Sequence, residues 1–142
     1  MKTGPARPPR SPMRRWMQSA AAFGAAVDDP GQEATLWGDG ADPDLDGRTN
    51  LEEYAEGTDP LAADAPPPAG LRLEGTGAAR TLVYEMPLAA PPADVVWTAE
   101  FSAALGGWQP AAVEAGSTGV RAVAPAGSAA GFVRFGVARR AP

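Results

Sequence analysis

Two different spacings of apolar residues divide the chain. Up to about residue 64, apolar side chains recur every three or four positions, which places them on one face of a helix. From Leu71 onward they alternate with polar residues, which is the pattern of a half-buried strand. We therefore predict an α+β fold, with short helices first and an antiparallel β-module after them.

The first half contains signals for three short helices. One begins at the cap residue Ser11 and ends near Gly24, and a second, Pro30–Trp37, follows the cap residue Asp29. A third stops at Gly57, a residue type that often terminates helices. The apolar faces consist of Met13, Trp16, Met17, Ala20 and Phe23 in the first helix, Leu36 and Trp37 in the second, and Leu51, Tyr54 and Ala55 in the third.

The second half predicts five or six short antiparallel strands arranged as a small β-sandwich over residues 71–142. Glycine- and proline-containing turns separate the strands. The predicted strands lie around Leu71 and Leu73, Leu82 to Met86, Val95 to Ser102, Trp108 to Glu114, Gly119 to Val123, and Val133 to Val137.

Proline and charge mark the boundaries between these parts. Residues 1–10 hold three prolines, a glycine and charged groups, and we predict a disordered leader there. Residues 11–64 form the predicted helical segment. Residues 65–70 include three consecutive prolines, which predict a stiff linker before the β-module.

Residues 42–53, between the second and third helices, match the pattern D-x-[DN]-x-[DN]-G-x5-E of an EF-hand calcium loop. The chemistry needs carboxylates at alternate positions, a glycine for the sharp turn, an inward-facing carbonyl, and a two-oxygen carboxylate that closes the shell. We predict Ca²⁺ as the cofactor. Its predicted ligands are Asp42, Asp44, Asp46, Arg48 through its carbonyl, Asn50 and Glu53.

Electrostatics favours a cation in this loop. At an effective dielectric constant near 20, each close pair of carboxylates costs about 4 kcal/mol, and a divalent ion removes that repulsion. The alternative is an acidic, solvated turn whose aspartates cap a helix. Capping needs one aspartate, however, and not three at fixed spacing. We also expect Asp59, before Pro60, to act as a cap, with metal ligation by Asp59 or Asp64 as the alternative.

Composition narrows the classes of function. The chain has no cysteine and no histidine, which removes disulfides, thiolate or imidazole metal sites, and Ser-His or Cys-His catalysis. The net charge is −5, without a basic face for nucleic acid, and no apolar run is long enough to span a membrane. The carboxylates outside the loop are scattered, and we predict that the protein is not an enzyme; they are Glu74, Glu85, Asp94, Glu100 and Glu114.

Six stretches in the loop, around it and in the predicted β-module form a familiar set: Trp37–Asp39, Ala41–Gly47, Asn50–Ala55, Gly57–Leu61, Val95–Ser102 and Gly131–Phe135. The first four resemble the calcium loops of bacterial thrombospondin type 3-like and dockerin-like repeats. Two later stretches are similar to the β-rich module that often follows such loops in secreted proteins. Two residues depart from the pattern: Leu45 replaces a common glycine, and Thr49 replaces an aliphatic residue; a second loop is also missing.

This resemblance implies a calcium-stabilised, non-enzymatic C-terminal structural or anchoring module of a secreted or cell-surface bacterial protein. Its partners would be calcium and a cell-surface polymer, a carbohydrate or other domains of a parent protein. The basic start before Trp16–Val27 has the charge order of a signal peptide, although Gln18 and Ser19 interrupt the apolar part. The alternative function is a carbohydrate- or peptide-binding β-module, in which Tyr84, Trp97 and Trp108 form a stacking platform.

Overall fold

The computed structural model describes residues 12–19, 23–128 and 130–141. Two α-helices, α1 (Pro12–Ser19) and α2 (Asn50–Glu56), lie before and after a series of short helical turns. These turns are the 3₁₀ segments Gly24–Asp28 and Pro30–Gln32 and the π-helical segment Glu33–Trp37. The predicted leader 1–10 and the predicted cap at Ser11 lie outside the described residues.

The second predicted helix is replaced by a 3₁₀ turn that continues into one π-helical turn. Its start is as predicted, because the Asp29 carboxylate accepts a hydrogen bond from Gly31 N at 2.9 Å. Gly38 ends the segment by donating its N–H to Glu33 O at 2.6 Å. A Cβ on Gly38 would lie 2.4 Å from that same carbonyl oxygen, so only glycine fits this end.

Six antiparallel strands follow, at the positions that the alternating pattern predicts. They form a single sheet in the order β1-β2-β5-β4-β3-β6. A 3₁₀ turn, Gly77–Ala79, joins the first two strands. The strands are β1 (Gly70–Glu74), β2 (Thr81–Pro87), β3 (Val95–Ser102), β4 (Gln109–Gly116), β5 (Gly119–Val123) and β6 (Phe132–Arg139).

The sequence predicts a sandwich of two stacked sheets, whereas the structure has one continuous sheet. The strand β4 is the reason, because it changes partner along its length. Its first residues, Gln109–Ala111, pair with β3, and the following residues, Ala112–Gly116, pair with β5. Backbone hydrogen bonds therefore run without a break between the β1-β2-β5 half and the β3-β6 half.

The continuous sheet folds over so that its two halves face each other. Three strands separate β2 from β6 in the sheet order, and neighbouring strands lie about 4.8 Å apart. Yet the rings of Tyr84 on β2 and Phe135 on β6 have centroids only 5.5 Å apart. A second, smaller cluster consists of Leu82 on β2, Phe101 on β3 and Ala124 just after β5. The bent sheet thus encloses its own core.

The main hydrophobic cluster draws on both sides of the proline-rich stretch 65–70. Met13 and Met17 on α1 are buried in the same cluster as Val95 and Trp97 on β3. The other buried members are Phe23, Val27, Tyr54, Ala55, Met86, Leu88 and Val120. The helices and the sheet therefore share one core, which fixes the acidic loop against the β-module.

Candidate metal centre

The acidic loop brings its first three aspartates together. Asp42, Asp44 and Asp46 each offer a carboxylate oxygen, and these three oxygens lie within 4.8 Å of one another. Burial raises the pKa of Asp44, and the neighbouring charges of Asp46 and Asp42 add to that effect, although a hydrogen bond from Asp46 N opposes it. The loop therefore holds like charges at a spacing that a single cation would relieve.

Backbone hydrogen bonds to these carboxylates shape the turn. Asp46 N donates to Asp44 Oδ1 at 3.1 Å, and Gly47 N donates to Asp42 Oδ2 at 3.0 Å. Gly47 has φ 93°, the left-handed conformation that the sequence pattern anticipates for this glycine. Leu45, which replaces a glycine common in such loops, has φ 62° and is 85 % exposed. This leucine therefore takes a strained backbone conformation without a buried side chain to compensate.

The helix α2 delivers the next two predicted ligands. Its N-cap is Thr49, which accepts a hydrogen bond from Glu52 N at 3.3 Å, while Thr49 N donates to Glu52 Oε2 at 2.7 Å. This capping box explains why a threonine stands at the eighth loop position. Asn50 and Glu53, three residues apart on the helix, then lie on the same face.

Glu53 is the most unusual group of the site. Its side chain is 0 % exposed, and neither of its carboxylate oxygens has a hydrogen-bond partner among the described residues. A Glu53 oxygen lies within 4.8 Å of carboxylate oxygens of Asp46 and Asp64. Burial, followed by the charges of Asp44 and Asp46, raises the pKa of Glu53 to about 7. Burial of a carboxylate without hydrogen-bond donors costs free energy, so a positively charged partner would stabilise Glu53 at this position.

Asn50 is also fully buried, and its two side-chain atoms have different roles. Its amide nitrogen donates to Leu36 O and to Gly38 O, both at 2.9 Å, which ties α2 to the segment before the loop. Its Oδ1 is buried and has no hydrogen-bond partner among the described residues. The oxygen that the sequence assigns to the metal is therefore the one that the fold leaves unused.

Arg48 has a role that sequence reasoning missed. The sequence assigns only its backbone carbonyl to the metal, but its side chain binds the Asp46 carboxylate through Nη2 at 2.7 Å. It also reaches Glu56 and Asp64. Burial lowers the pKa of Arg48, but hydrogen bonds to these three carboxylates more than offset that effect and raise it overall. A signal was present in the sequence, because Arg48 is the single basic residue among twelve acids in residues 28–64.

The two later aspartates differ in their surroundings. Asp59 Oδ1 accepts a hydrogen bond from Leu61 N at 3.0 Å, which is the capping role that the sequence predicts. Asp64 instead lies against Arg48 and belongs to the group of close carboxylates with Asp46 and Glu53. The Asp59 carboxylate therefore stabilises its own turn, whereas Asp64 lies at the edge of the candidate site.

These residues fit a hard cation that prefers oxygen ligands. Carboxylate and amide oxygens are the ligands of calcium, and the chain has no cysteine thiolate or histidine imidazole to offer a metal. Buried polar atoms in proteins almost always have a partner. Five oxygens around the loop have none among the described residues: Asp42 Oδ1, Asp44 Oδ2, Asn50 Oδ1 and both oxygens of Glu53.

The carboxylates on the outer face of the sheet have arginine partners. Glu74 binds Arg72 at 2.7 Å and Arg121 at 2.6 Å, and hydrogen bonds from these two arginines lower its pKa. Arg72 also binds Glu85 at 2.9 Å, and Arg121 binds Glu114 at 3.3 Å. This face therefore carries a surface ion network of alternating charges.

The three aromatic residues of the predicted stacking platform do not form an open surface. Trp97 is 7 % exposed and packs edge-to-face against Phe135, whose ring also contacts Tyr84. The Arg134 guanidinium lies over the Trp108 ring, 4.1 Å from its centroid. Trp97 therefore belongs to the core.

Fold and site together define a small α+β protein with an antiparallel sheet and an acidic, oxygen-rich loop. Comparisons with protein-family models, curated proteins and solved structures find no match to this chain. Among the described residues, no helix has the length and apolar character needed to cross a lipid bilayer.

Proposed function

We propose that the chain is a calcium-stabilised, non-enzymatic structural or anchoring module of a secreted or cell-surface bacterial protein. The support comes from the loop residues that resemble thrombospondin type 3-like and dockerin-like repeats. It comes also from two groups of close carboxylates that share Asp46, one with Asp42 and Asp44 and the other with Glu53 and Asp64. The six proposed ligand residues are Asp42, Asp44, Asp46, Arg48 through its carbonyl, Asn50 and Glu53.

One observation carries this proposal. Glu53 is fully buried, and both of its oxygens lack a partner among the described residues, although Asp46 and Asp64 lie close to it. A structural glutamate that only packed in the core would have a donor, because an unpaired buried charge costs several kcal/mol. A bound cation supplies the missing partner.

Calcium, when bound, would supply positive charge to the loop carboxylates and link the loop to α2. This link matters because α2 has only seven residues, too few for a helix to be stable alone in water. The same helix contributes Tyr54 and Ala55 to the core shared with the sheet. An ion in the loop would therefore stiffen the attachment of the helical segment to the β-module.

Thermal unfolding with and without calcium tests the proposal. Extracellular calcium modules have dissociation constants of about 10⁻⁴ to 10⁻³ M. At about 10 mM calcium, binding then adds about 1.4 to 2.7 kcal/mol to the free energy of unfolding. We expect an increase in melting temperature of about 5 to 10 °C over a sample in EDTA.

Two controls make this test specific. Magnesium at the same concentration should raise the melting temperature less, because its smaller octahedral shell suits all-protein oxygen sites poorly. The variant Glu53→Gln keeps the size of the side chain and should lose most of the calcium effect. A melting temperature of the unaltered protein that does not change with calcium would contradict the proposal.

A further inference from the structure

The Arg48 side chain bridges the acidic loop and the chain that leaves α2. Its Nη2 donates to Asp46 Oδ2 at 2.7 Å and to the backbone carbonyl of Asp64 at 3.0 Å, and it also binds the Asp64 carboxylate. Its Nη1 donates to Glu56 Oε2 at 2.8 Å and to Thr58 Oγ1 at 3.1 Å. One guanidinium therefore holds the loop, the end of α2 and the start of the proline-rich stretch together.

The surroundings of Arg48 favour a fixed geometry. The side chain is only 12 % exposed, and the Asp46 side chain is 6 % exposed. A partly buried guanidinium with several carboxylate partners loses little mobility per hydrogen bond, because its planar fork is rigid. Asp64 is the last residue before the stretch 65–70, so its position sets where that stretch begins.

We infer that Arg48 is a positioning residue that couples cation binding in the loop to the placement of Asp64. It holds the Asp46 carboxylate at the edge of the site and draws Asp64 toward the same group of oxygens. Cation binding then orders the segment Thr58–Asp64, and an ordered segment favours cation binding in return. This inference rests on the proposed calcium site and adds how ion binding there is coupled to the segment that leads to the β-module.

Charge alone makes the opposite prediction for Arg48. A guanidinium near the loop repels a divalent cation, so its removal should tighten calcium binding if Coulomb repulsion dominates. Loss of a residue that orients a metal ligand instead weakens binding, commonly by 10- to 100-fold. The sign of the change in affinity therefore separates positioning from simple charge.

Calorimetric titration of calcium into three variants provides the first test. Arg48→Met removes both the charge and the hydrogen bonds, and we expect binding at least about tenfold weaker. Arg48→Lys keeps the charge but loses the fork, so its affinity should be reduced as well. Asp64→Asn leaves the loop intact and should weaken binding several-fold. Unchanged or tighter binding by the two Arg48 variants would overturn the inference.

The position of Asp64 provides a second readout that does not depend on affinity. The chain has no cysteine, so spin labels can be placed at Ala34→Cys and Ala65→Cys, two exposed positions on either side of the loop. Saturating calcium should narrow the distance distribution between the labels. The same labels in the Arg48→Lys background should keep a broad distribution. Equal narrowing in both backgrounds would count against the coupling.

Failure of this inference differs from failure of the proposed function. If the unaltered protein shows no heat of calcium binding, the result contradicts both the proposed function and the coupling through Arg48. If the unaltered protein binds calcium, and the Arg48→Lys variant has the same affinity and the same label distances, the result contradicts only the coupling. Arg48→Lys keeps the positive charge and Asp64→Asn keeps the size of the side chain, and circular dichroism and melting in EDTA check that both variants fold. They therefore carry the test if Arg48→Met does not fold.

Discussion

Tyr54 donates a hydrogen bond from its hydroxyl to Asp94 Oδ1 over 2.7 Å, which joins α2 to the residue before β3. The Tyr54 ring also packs against Trp16 of α1, with centroids 5.2 Å apart. A second link lies nearby, where Arg139 of β6 forms an ion pair with Asp39, just ahead of the acidic loop. The candidate metal centre is thus attached to the sheet on two sides.

Removal of the Tyr54 hydroxyl should weaken this attachment. We expect Tyr54→Phe to lower the free energy of unfolding by about 1.5 to 3 kcal/mol, the usual range for a hydrogen bond to a charged group. Urea unfolding measures the change. A double-mutant cycle with Asp94→Asn should give a coupling energy of at least about 0.5 kcal/mol, and additive effects would show that the contact contributes little.

The shared core predicts that helices and sheet unfold together. Met17 is 1 % exposed and packs in the cluster that contains Trp97 of β3. Met17→Ala should lower the free energy of unfolding by about 2 to 5 kcal/mol. The urea midpoints measured by far-ultraviolet dichroism and by tryptophan fluorescence should both move to the same lower value. Ala34→Gly, an exposed change near the loop, serves as a control with a small effect. Separate midpoints for the two signals would contradict the shared core.

Leu45 offers a substitution that should stabilise the protein. Its left-handed backbone costs about 1 to 2 kcal/mol, while a glycine loses about 0.4 to 1 kcal/mol through the entropy of the unfolded chain. Leu45→Gly should therefore gain about 0.5 to 1 kcal/mol in thermal unfolding. Leu105 has φ 61° and is 63 % exposed outside the loop, so Leu105→Gly should gain a similar amount. A loss of stability at Leu45 alone would show that its side chain makes a useful contact.

Glu53→Gln should have effects of opposite sign with and without calcium. In EDTA the change removes a buried charge that has no partner among the described residues, and stability should rise by about 1 to 3 kcal/mol. In calcium the same change removes a proposed ligand, so the variant should be the less stable protein. Melting curves of both proteins in both buffers check this crossover. If Glu53→Gln is less stable in EDTA as well, the carboxylate has a structural partner instead.

Local signals in the sequence predicted much of the fold. Alternating apolar residues placed four of the six strands, and the two weaker strands were predicted near Trp108 to Glu114 and Gly119 to Val123. Asp29, Gly38 and Gly57 marked the ends of turns and helices because caps act on neighbouring residues. Of the predicted loop residues, Asp42, Asp44 and Asp46 lie close together, since a turn of fixed length sets their positions. Their binding of a metal ion stays a prediction.

Contacts between distant residues could not be predicted in the same way. The ion pair of Arg48 with Asp64 spans sixteen residues, and no spacing rule relates them. The sequence predicts a single strand near Trp108 to Glu114, and nothing in it indicates that β4 changes partner along its length. The π-helical turn Glu33–Trp37 stands where the sequence predicts an ordinary helix, and Asn50 of α2 donates to Leu36 O within it and to Gly38 O just after it.

The divided pairing of β4 has a mechanical consequence for the sheet. In a sandwich of two separate sheets, a pulling force can shear one layer over the other by displacing side chains only. Here the layers are joined through the backbone of Gln109–Gly116, and separating them means breaking hydrogen bonds to β3 or β5. In the bent sheet, the same strand, β4, resists a pulling force applied to either half.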